Sequence, residues 1–365
     1  MGFNCGIVGL PNVGKSTLFN ALTAAAAEAG NYPFCTIEPN VGRVFVPDLR
    51  LGEIAALAGS AAVMPTSLEF IDVAGLVRGA SAGEGLGNQF LGHIRGVDAI
   101  AHVVRCFGGS EIGHSNSTVD PVSDAQVVEA ELMLADLESL ERRRGVITKK
   151  KRGGDKDARA LLEVISMAEA SLSEGCPVRS ISPDPPMSHL LASLELLSAK
   201  PVMYVCNVDE PAILDGNSYS RTLQVYADSR NAACVVTSAR IEAEIAAIEE
   251  ASERSAFLET LGLADSGLAR VISAGYSLLD LITFFTAGPK EARARTLRRG
   301  SSAVEAAAKV HSDFARGFIR AETISYADFI SLGGETGARE AGRLRQEGRD
   351  YLVDDGDVIF FRFNV

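Results

Sequence analysis

Gly9-Leu-Pro-Asn-Val-Gly-Lys-Ser16 follows an apolar run, Phe3-Asn-Cys-Gly-Ile-Val8, and precedes a helical one, Thr17-Leu-Phe-Asn-Ala-Leu22. Strand, glycine-rich loop, helix is the context in which G-x-x-x-x-G-K-[ST] binds phosphate. Each residue type answers a need of that chemistry. Glycines let backbone N–H groups turn inward, so Asn12, Val13, Gly14, Lys15, Ser16 and Thr17 are expected to line the phosphates of a purine nucleoside triphosphate. Lys15 neutralises the β- and γ-phosphates and so counts among the catalytic residues, and the Ser16 hydroxyl is a Mg²⁺ ligand. The helix that follows turns its positive end toward the same anion.

Other motifs extend the site. Asp72-Val-Ala-Gly75 closes an apolar run at 68–73, where an aspartate suits an indirect, water-mediated Mg²⁺ contact and Gly75 lets a backbone N–H approach the γ-phosphate. Thr36, between these two motifs, is the expected second Mg²⁺ ligand from a switch segment; a turn threonine is the plain alternative. Asn207-Val-Asp-Glu210 ends the run at 201–206, where a base-reading motif belongs, with Asn207, Val208 and Glu210 as its contacts. GTPases carry N-K-x-D there. Here the lysine is missing and the longer Glu210 displaces the carboxylate, which tilts the base from guanine toward adenine, because mismatched buried hydrogen bonds discriminate strongly. Thr237-Ser-Ala239 resembles the loop that closes over the base, through Ser238 and Ala239. Leu76 stands where many GTPases orient the attacking water with glutamine, and an apolar side chain cannot do that.

Around these motifs, short β-branched runs at 3–8, 42–46, 68–73, 98–105, 201–206 and 233–237 alternate with helical patterns, which predicts an α/β fold with a mostly parallel sheet. The rhythm breaks over 125–200. Val127, Ala130, Leu134 and Leu137 recur at helical steps, as do Leu161, Ile165, Ala168 and Leu172, predicting an inserted antiparallel helical hairpin. From 281 the character changes again. Residues 293–300 are arginine-rich, and Tyr351 to Val365 alternates like strands joined by an Asp-Gly turn. The expected domains are therefore 1–280, with the insertion at about 125–200, and 281–365.

Composition narrows the function classes. The 365 residues are 47% hydrophobic and 22% charged, ordinary for a globular chain. No apolar run approaches a membrane span, so no membrane partner is expected. Met1-Gly-Phe-Asn-Cys-Gly6 has no basic leader, and six scattered cysteines form no C-x-x-C pair; the expectation is a cytoplasmic chain with reduced thiols and no zinc site. The net charge of −12 argues against indiscriminate nucleic-acid binding. The segment 142–159 runs against that balance. Arg142, Arg143, Arg144, Lys149, Lys150, Lys151, Arg152, Lys156 and Arg159 face only Asp155 and Asp157. That tip could neutralise several RNA phosphates; a solvated hairpin tip is the plain alternative.

Five segments, Gly9 to Ser16, Asn31-Tyr-Pro-Phe-Cys-Thr-Ile-Glu-Pro-Asn-Val-Gly42, Asp72-Val-Ala-Gly-Leu-Val-Arg-Gly-Ala-Ser81, Asn207 to Glu210, and Asp313-Phe-Ala-Arg-Gly-Phe-Ile-Arg-Ala-Glu322, together resemble the YchF/Obg-like ATPases over essentially the whole chain. The resemblance implies an Obg-type P-loop domain with a helical coiled-coil insertion and a C-terminal TGS domain of β-grasp type. It implies ATP in preference to GTP and binding to ribosomes; contact with ribosomal RNA is expected through the coiled-coil tip and the TGS domain, and the chain is expected to be a monomer. It also implies a catalytic histidine after the 98–105 strand, which falls on His114; a loop histidine without a chemical role is the alternative. His93 and His102 sit in apolar patterns and read as structural. Asn12 occupies a position that ligates potassium in some related GTPases, so K⁺ is a possible additional cofactor. The sequence departs from the family at Arg295, where tryptophan is usual. Two other readings stay open: a nucleotide-gated binding switch whose hydrolysis is incidental, and a GTP-preferring GTPase.

Overall fold

The computed structural model describes residues 3–28, 40–73, 86–108, 119–151 and 156–364. The chain divides into two compact units, Met1–Val44 with Glu69–Gly275, and Phe45–Leu68 with Tyr276–Val365.

The first unit is built on a six-stranded sheet. Its strands are β1 (Asn4–Val8), β2 (Val41–Phe45), β4 (Ser67–Asp72), β5 (Ala99–Arg105), β6 (Val202–Asn207) and β7 (Ala233–Thr237), in the order β2-β4-β1-β5-β6-β7; β3 (Ala62–Met64) belongs elsewhere. Every strand expected from sequence is present within a residue or two. The β1/β4, β1/β5, β5/β6 and β6/β7 pairs are all parallel. Parallel strands covered on both faces need continuous apolar runs, and β6 is buried at every position. Since β4 and β5 flank β1 on opposite sides, the carboxyl end of β1 is the crevice where ligands of such sheets bind.

A helical hairpin leaves this unit. Helix Pro121–Lys151 packs along helix Lys156–Ser173 through Leu140, Val164, Ile165, Ala168 and Leu172. The face of the first helix differs from the expected one. Ala125, Val128, Leu132 and Ala135 are buried, whereas Leu134 is 51% exposed. The helix is rotated because its buried face also carries carboxylates. Asp136 accepts hydrogen bonds from the backbone N–H groups of Leu197 and Ser198 and from the Ser198 hydroxyl. Glu129 pairs with Arg179 and accepts from the Tyr204 and Tyr226 hydroxyls. Burial alone would raise the Glu129 pKa, but Arg179 and the two tyrosines hold it below its ordinary value.

The second unit has a mixed sheet ordered β11-β10-β12-β8-β9-β3, with β8 (Leu281–Ala287), β9 (Glu291–Arg298), β10 (Phe318–Ile324), β11 (Arg345–Glu347) and β12 (Val358–Phe363). The β8/β9 pair is antiparallel, and the last strand, β12, lies parallel beside β8 in a grasp-like arrangement. Helix Ala303–Val310 covers one face through Ala303, Ala306 and Ala307.

Residues 45–68 are the main departure from the expected boundary at 280/281. Helix Leu49–Ala58 places Leu51, Ile54 and Ala55 on the other face of this second sheet, against Phe285, Ala292, Ala294 and Val358. β3 then joins the sheet edge beside β9, with Ala62 opposite Glu291. Helix Leu49–Ala58 shares that face with Phe329 and Ala338, from the short helices Tyr326–Ser331 and Glu335–Glu340, while helix Ala303–Val310 covers the opposite one. The expected pair of strands around the Asp-Gly turn is also reduced. Leu352 makes a single bridge to Ser302, because the Asp357 carboxylate turns inward to take bonds from Tyr351 and from the Asp354 N–H. The segment before the turn is thereby drawn toward the start of helix Ala303–Val310, where the Ala303 N–H donates to the Tyr351 carbonyl.

Ile54 is fully buried, so Ile54→Ala is expected to cost about 2–5 kcal/mol. Hydrogen exchange should report the loss in β8 and β12, far along the chain, and leave β1 and β6 protected. A loss confined to β1 and β6 would contradict the assignment of residues 45–68.

Candidate functional site

β1 delivers the chain into the loop at Gly9, and helix Lys15–Glu28 begins where the loop ends. Asn12 and Gly14 both have positive φ, +63° and +90°. That region is open to glycine and tolerated by asparagine. The Gly14 carbonyl accepts the first helical bond, from the Leu18 N–H at 3.0 Å. Val13 is buried, while Asn12, Ser16 and Thr17 are exposed.

Lys15 is buried and forms an ion pair with Asp72. The sheet register explains the meeting. Ile7 lies opposite Asp72, so the carboxylate stands beside the strand that enters the loop. The two expected phosphate and metal residues are thus together, and Ser16 sits at the same helix start.

Asn207 ties the site to the rest of the sheet. Its amide nitrogen donates to the Val13 carbonyl at 2.8 Å, and its amide oxygen accepts from the Ala239 N–H at 2.9 Å. It is 5% exposed. A Cβ on Gly14 would overlap that amide, so the glycine serves both the left-handed turn and the clamp. The Val208 N–H donates to the Thr237 carbonyl, and the Cys106 N–H to the Asn207 carbonyl, both at 2.8 Å. The ends of β5, β6 and β7 and the phosphate loop are therefore cross-linked around one asparagine.

The other expected base contacts divide. Val208 and Ala239 are buried supports. Glu210 is exposed and opens a short 3₁₀ turn, Glu210–Ala212. Ser238 is buried, and its hydroxyl finds no hydrogen-bond partner among the described residues. Thr36, Gly75, Leu76 and His114 lie outside the described residues. His102 is buried beside Tyr204, and desolvation lowers its pKa to about 4, so it is neutral near pH 7. His93, in contrast to the expectation of a structural core position, is exposed on helix Leu86–Arg95.

One carboxylate was not anticipated. Glu242, on helix Ala239–Ala246 directly after the base loop, is fully buried and accepts from the Gly267 N–H at 2.7 Å. Burial pushes its pKa up, with the Leu268 and Gly267 N–H groups opposing. An isolated glutamate on an amphipathic helix reads as solvent-facing, so sequence carried no signal for it.

Comparison with known proteins follows the same outline. A family model described as 50S ribosome-binding GTPase matches residues 4–150, and a YchF GTPase C-terminal model, described as a protein of unknown function, matches residues 281–364. Relatives named ribosome-binding ATPase YchF from Haemophilus ducreyi and Bacillus subtilis are 52% and 50% identical, each alignment covering 100% of both chains. The YchF GTPase of Schizosaccharomyces pombe superposes with a TM-score of 0.90 at 33% identity, over 99% of this chain and 98% of that one. A GTP-binding protein from Pyrococcus horikoshii shares the fold, with a TM-score of 0.63 at 20% identity over 99% and 100% of the two chains.

Fold and phosphate loop together define a P-loop nucleoside triphosphatase with a G-type nucleotide domain. Within that class, full-length identity near one half places the chain in the YchF family.

Asn207→Ala removes two buried hydrogen bonds from this clamp. At about 1 kcal/mol each, nucleotide affinity is expected to fall roughly tenfold or more in a fluorescent-nucleotide titration. Affinity within twofold of the parent would show that the clamp does not shape the site.

Proposed function

We propose that this chain is a Mg²⁺-dependent ATPase that prefers ATP to GTP and acts on the ribosome as a nucleotide-dependent regulator. The observation that carries it is the convergence of Lys15, Ser16 and Asp72 at the carboxyl end of β1. The donor set is a hydroxyl and a carboxylate, hard oxygens that suit Mg²⁺. Ser16 and Asp72, with Thr36, would hold the ion, which when bound supplies charge neutralisation at the phosphate oxygens. The loop N–H groups orient the triphosphate, and Lys15 exchanges its contact with Asp72 for the β/γ-phosphates. Asn207 and Ala239, bonded to each other, set the loops that would face the base, and Glu210 in place of the aspartate of N-K-x-D favours adenine. His114 is the proposed water-orienting group, since Leu76 cannot take that role.

Ribosome contact rests on the relatives' name and on the hairpin tip. Arg142 and Arg159 are 66% and 75% exposed, with only loose partners in Glu138 and Glu163. Arg144 is engaged by Glu169 and Ser166 and is a weaker contributor. The second unit, read as a TGS domain, is the other contact. No helix among the described residues is long and apolar enough to cross a membrane, and a ribosomal partner assigns the chain to the cytoplasm.

Leu76 favours a second reading, a binding switch that hydrolyses slowly until a partner completes the site. Turnover with and without ribosomes separates the two: fast intrinsic turnover supports the enzyme, and strictly ribosome-dependent turnover supports the switch. Direct competition should give a lower Kd for ATP than for GTP; the reverse order would refute the adenine assignment. Reversing Arg142, Lys149 and Arg159 to glutamate should reduce ribosome co-sedimentation at moderate salt and flatten its salt dependence. Unchanged sedimentation would remove the tip from the interface.

A further inference from the structure

The second unit leaves an aromatic side chain outside its core. Phe314 packs against the cluster beneath helix Ala303–Val310, as does Phe361, but Phe363 is not part of that cluster. It lies on Phe314 instead, ring centroids 3.8 Å apart and planes within 26°. The backbone fixes this pose. Gly317 ends helix Ser312–Arg316, and the chain at Asn364 passes so closely that a Cβ on Gly317 would collide with the Asn364 carbonyl. The Asn364 N–H donates to the Gly317 carbonyl at 2.9 Å. The last strand is thereby tied to the helix that carries Phe314, and Phe363 is laid flat on it while remaining partly exposed.

Two arginines stand on elements that adjoin the shelf. Arg316, 79% exposed, ends the same helix and is opposed by Asp313. Arg349 is exposed and lies 5.8 Å from the centroid of the Phe318 ring, and Phe318 is the cross-strand partner of Phe363. Over the second unit, residues 45–68 with 276–365, fourteen Lys and Arg residues nearly balance fifteen Asp and Glu, in a chain of net charge −12. Most of the excess negative charge lies elsewhere, so this unit does not repel a polyanion as the whole chain would.

We infer that the Phe314–Phe363 shelf is a stacking site for an unpaired base of single-stranded RNA, with Arg316 and Arg349 placed for the adjoining phosphates. Every base has a π face, so a flat aromatic platform beside cations binds single strands with little sequence preference. Duplex RNA buries its base faces and cannot use it. The inference deepens the ribosome reading above and rests on it: it gives the second unit its own RNA contact, of a kind the hairpin tip, which has no aromatic residue, cannot make.

The chain has no tryptophan, so Phe363→Trp in the full-length protein places a single fluorophore on the shelf. Its emission is expected to be quenched by a short single-stranded oligoadenylate and left unchanged by the same length of duplex. Phe363→Leu keeps apolar volume without the π face and should weaken oligonucleotide binding about tenfold, with Phe363→Tyr restoring it. Quenching by duplex as strong as by single strand overturns the inference, as does no quenching together with parental affinity in Phe363→Leu. In either case, a loss of ribosome binding on reversing the tip charges would leave the ribosome reading standing. Ribosome binding lost in Phe363→Leu without any response to free RNA also overturns it, in favour of a protein contact.

Discussion

One buried amide holds the nucleotide domain together. Asn207 grips the phosphate loop through the Val13 carbonyl and the base loop through the Ala239 N–H. Both bonds are shielded from water, so each keeps more of its intrinsic strength than a surface bond would. The requirement propagates outward. Gly14 must lack a side chain to make room for the amide, and β6 must end at residue 207 in register with β5 and β7. The loops after β1 and β7 are therefore positioned by one strand end and not by their own stiffness.

The same economy of buried polar groups fixes the helical hairpin. Glu129 and Asp136 sit one above the other on the inner face of the long helix, and each is fully partnered by segments that return to β6. Buried ion pairs contribute little net stability, because desolvation offsets attraction. Their effect here is on orientation. A purely apolar seam would allow the helix to rotate by one residue, whereas the carboxylates accept only one set of donors.

These carboxylates also mark where the sequence stopped being legible. β1, β5, β6 and the phosphate loop were readable because their signals are local: β-branched runs, and a motif whose spacing is set by the ligand. Leu134 was assigned to the buried face because periodicity counts apolar residues and cannot see that Glu129 and Asp136 have partners some 50 to 60 positions away. Glu242 was missed for the same reason. Residues 45–68 were misplaced because nothing local distinguishes a helix that covers its own sheet from one that covers another. The clamp that Asn207 forms on the phosphate loop joins residues 194 positions apart, so no local pattern announces it.

The loan of Phe45–Leu68 to the second unit has a consequence for how the molecule is made. Ala62 must pair with Glu291, and helix Leu49–Ala58 must wait for β8 and β12 before its apolar face is covered. During vectorial synthesis these residues leave the ribosome early and remain without their partners until nearly the whole chain has been translated. The second unit thus completes last, its contact order raised by that long detour. A nascent chain stalled before residue 281 would expose Leu51, Ile54 and Ala55 to any chaperone that surveys unfinished proteins.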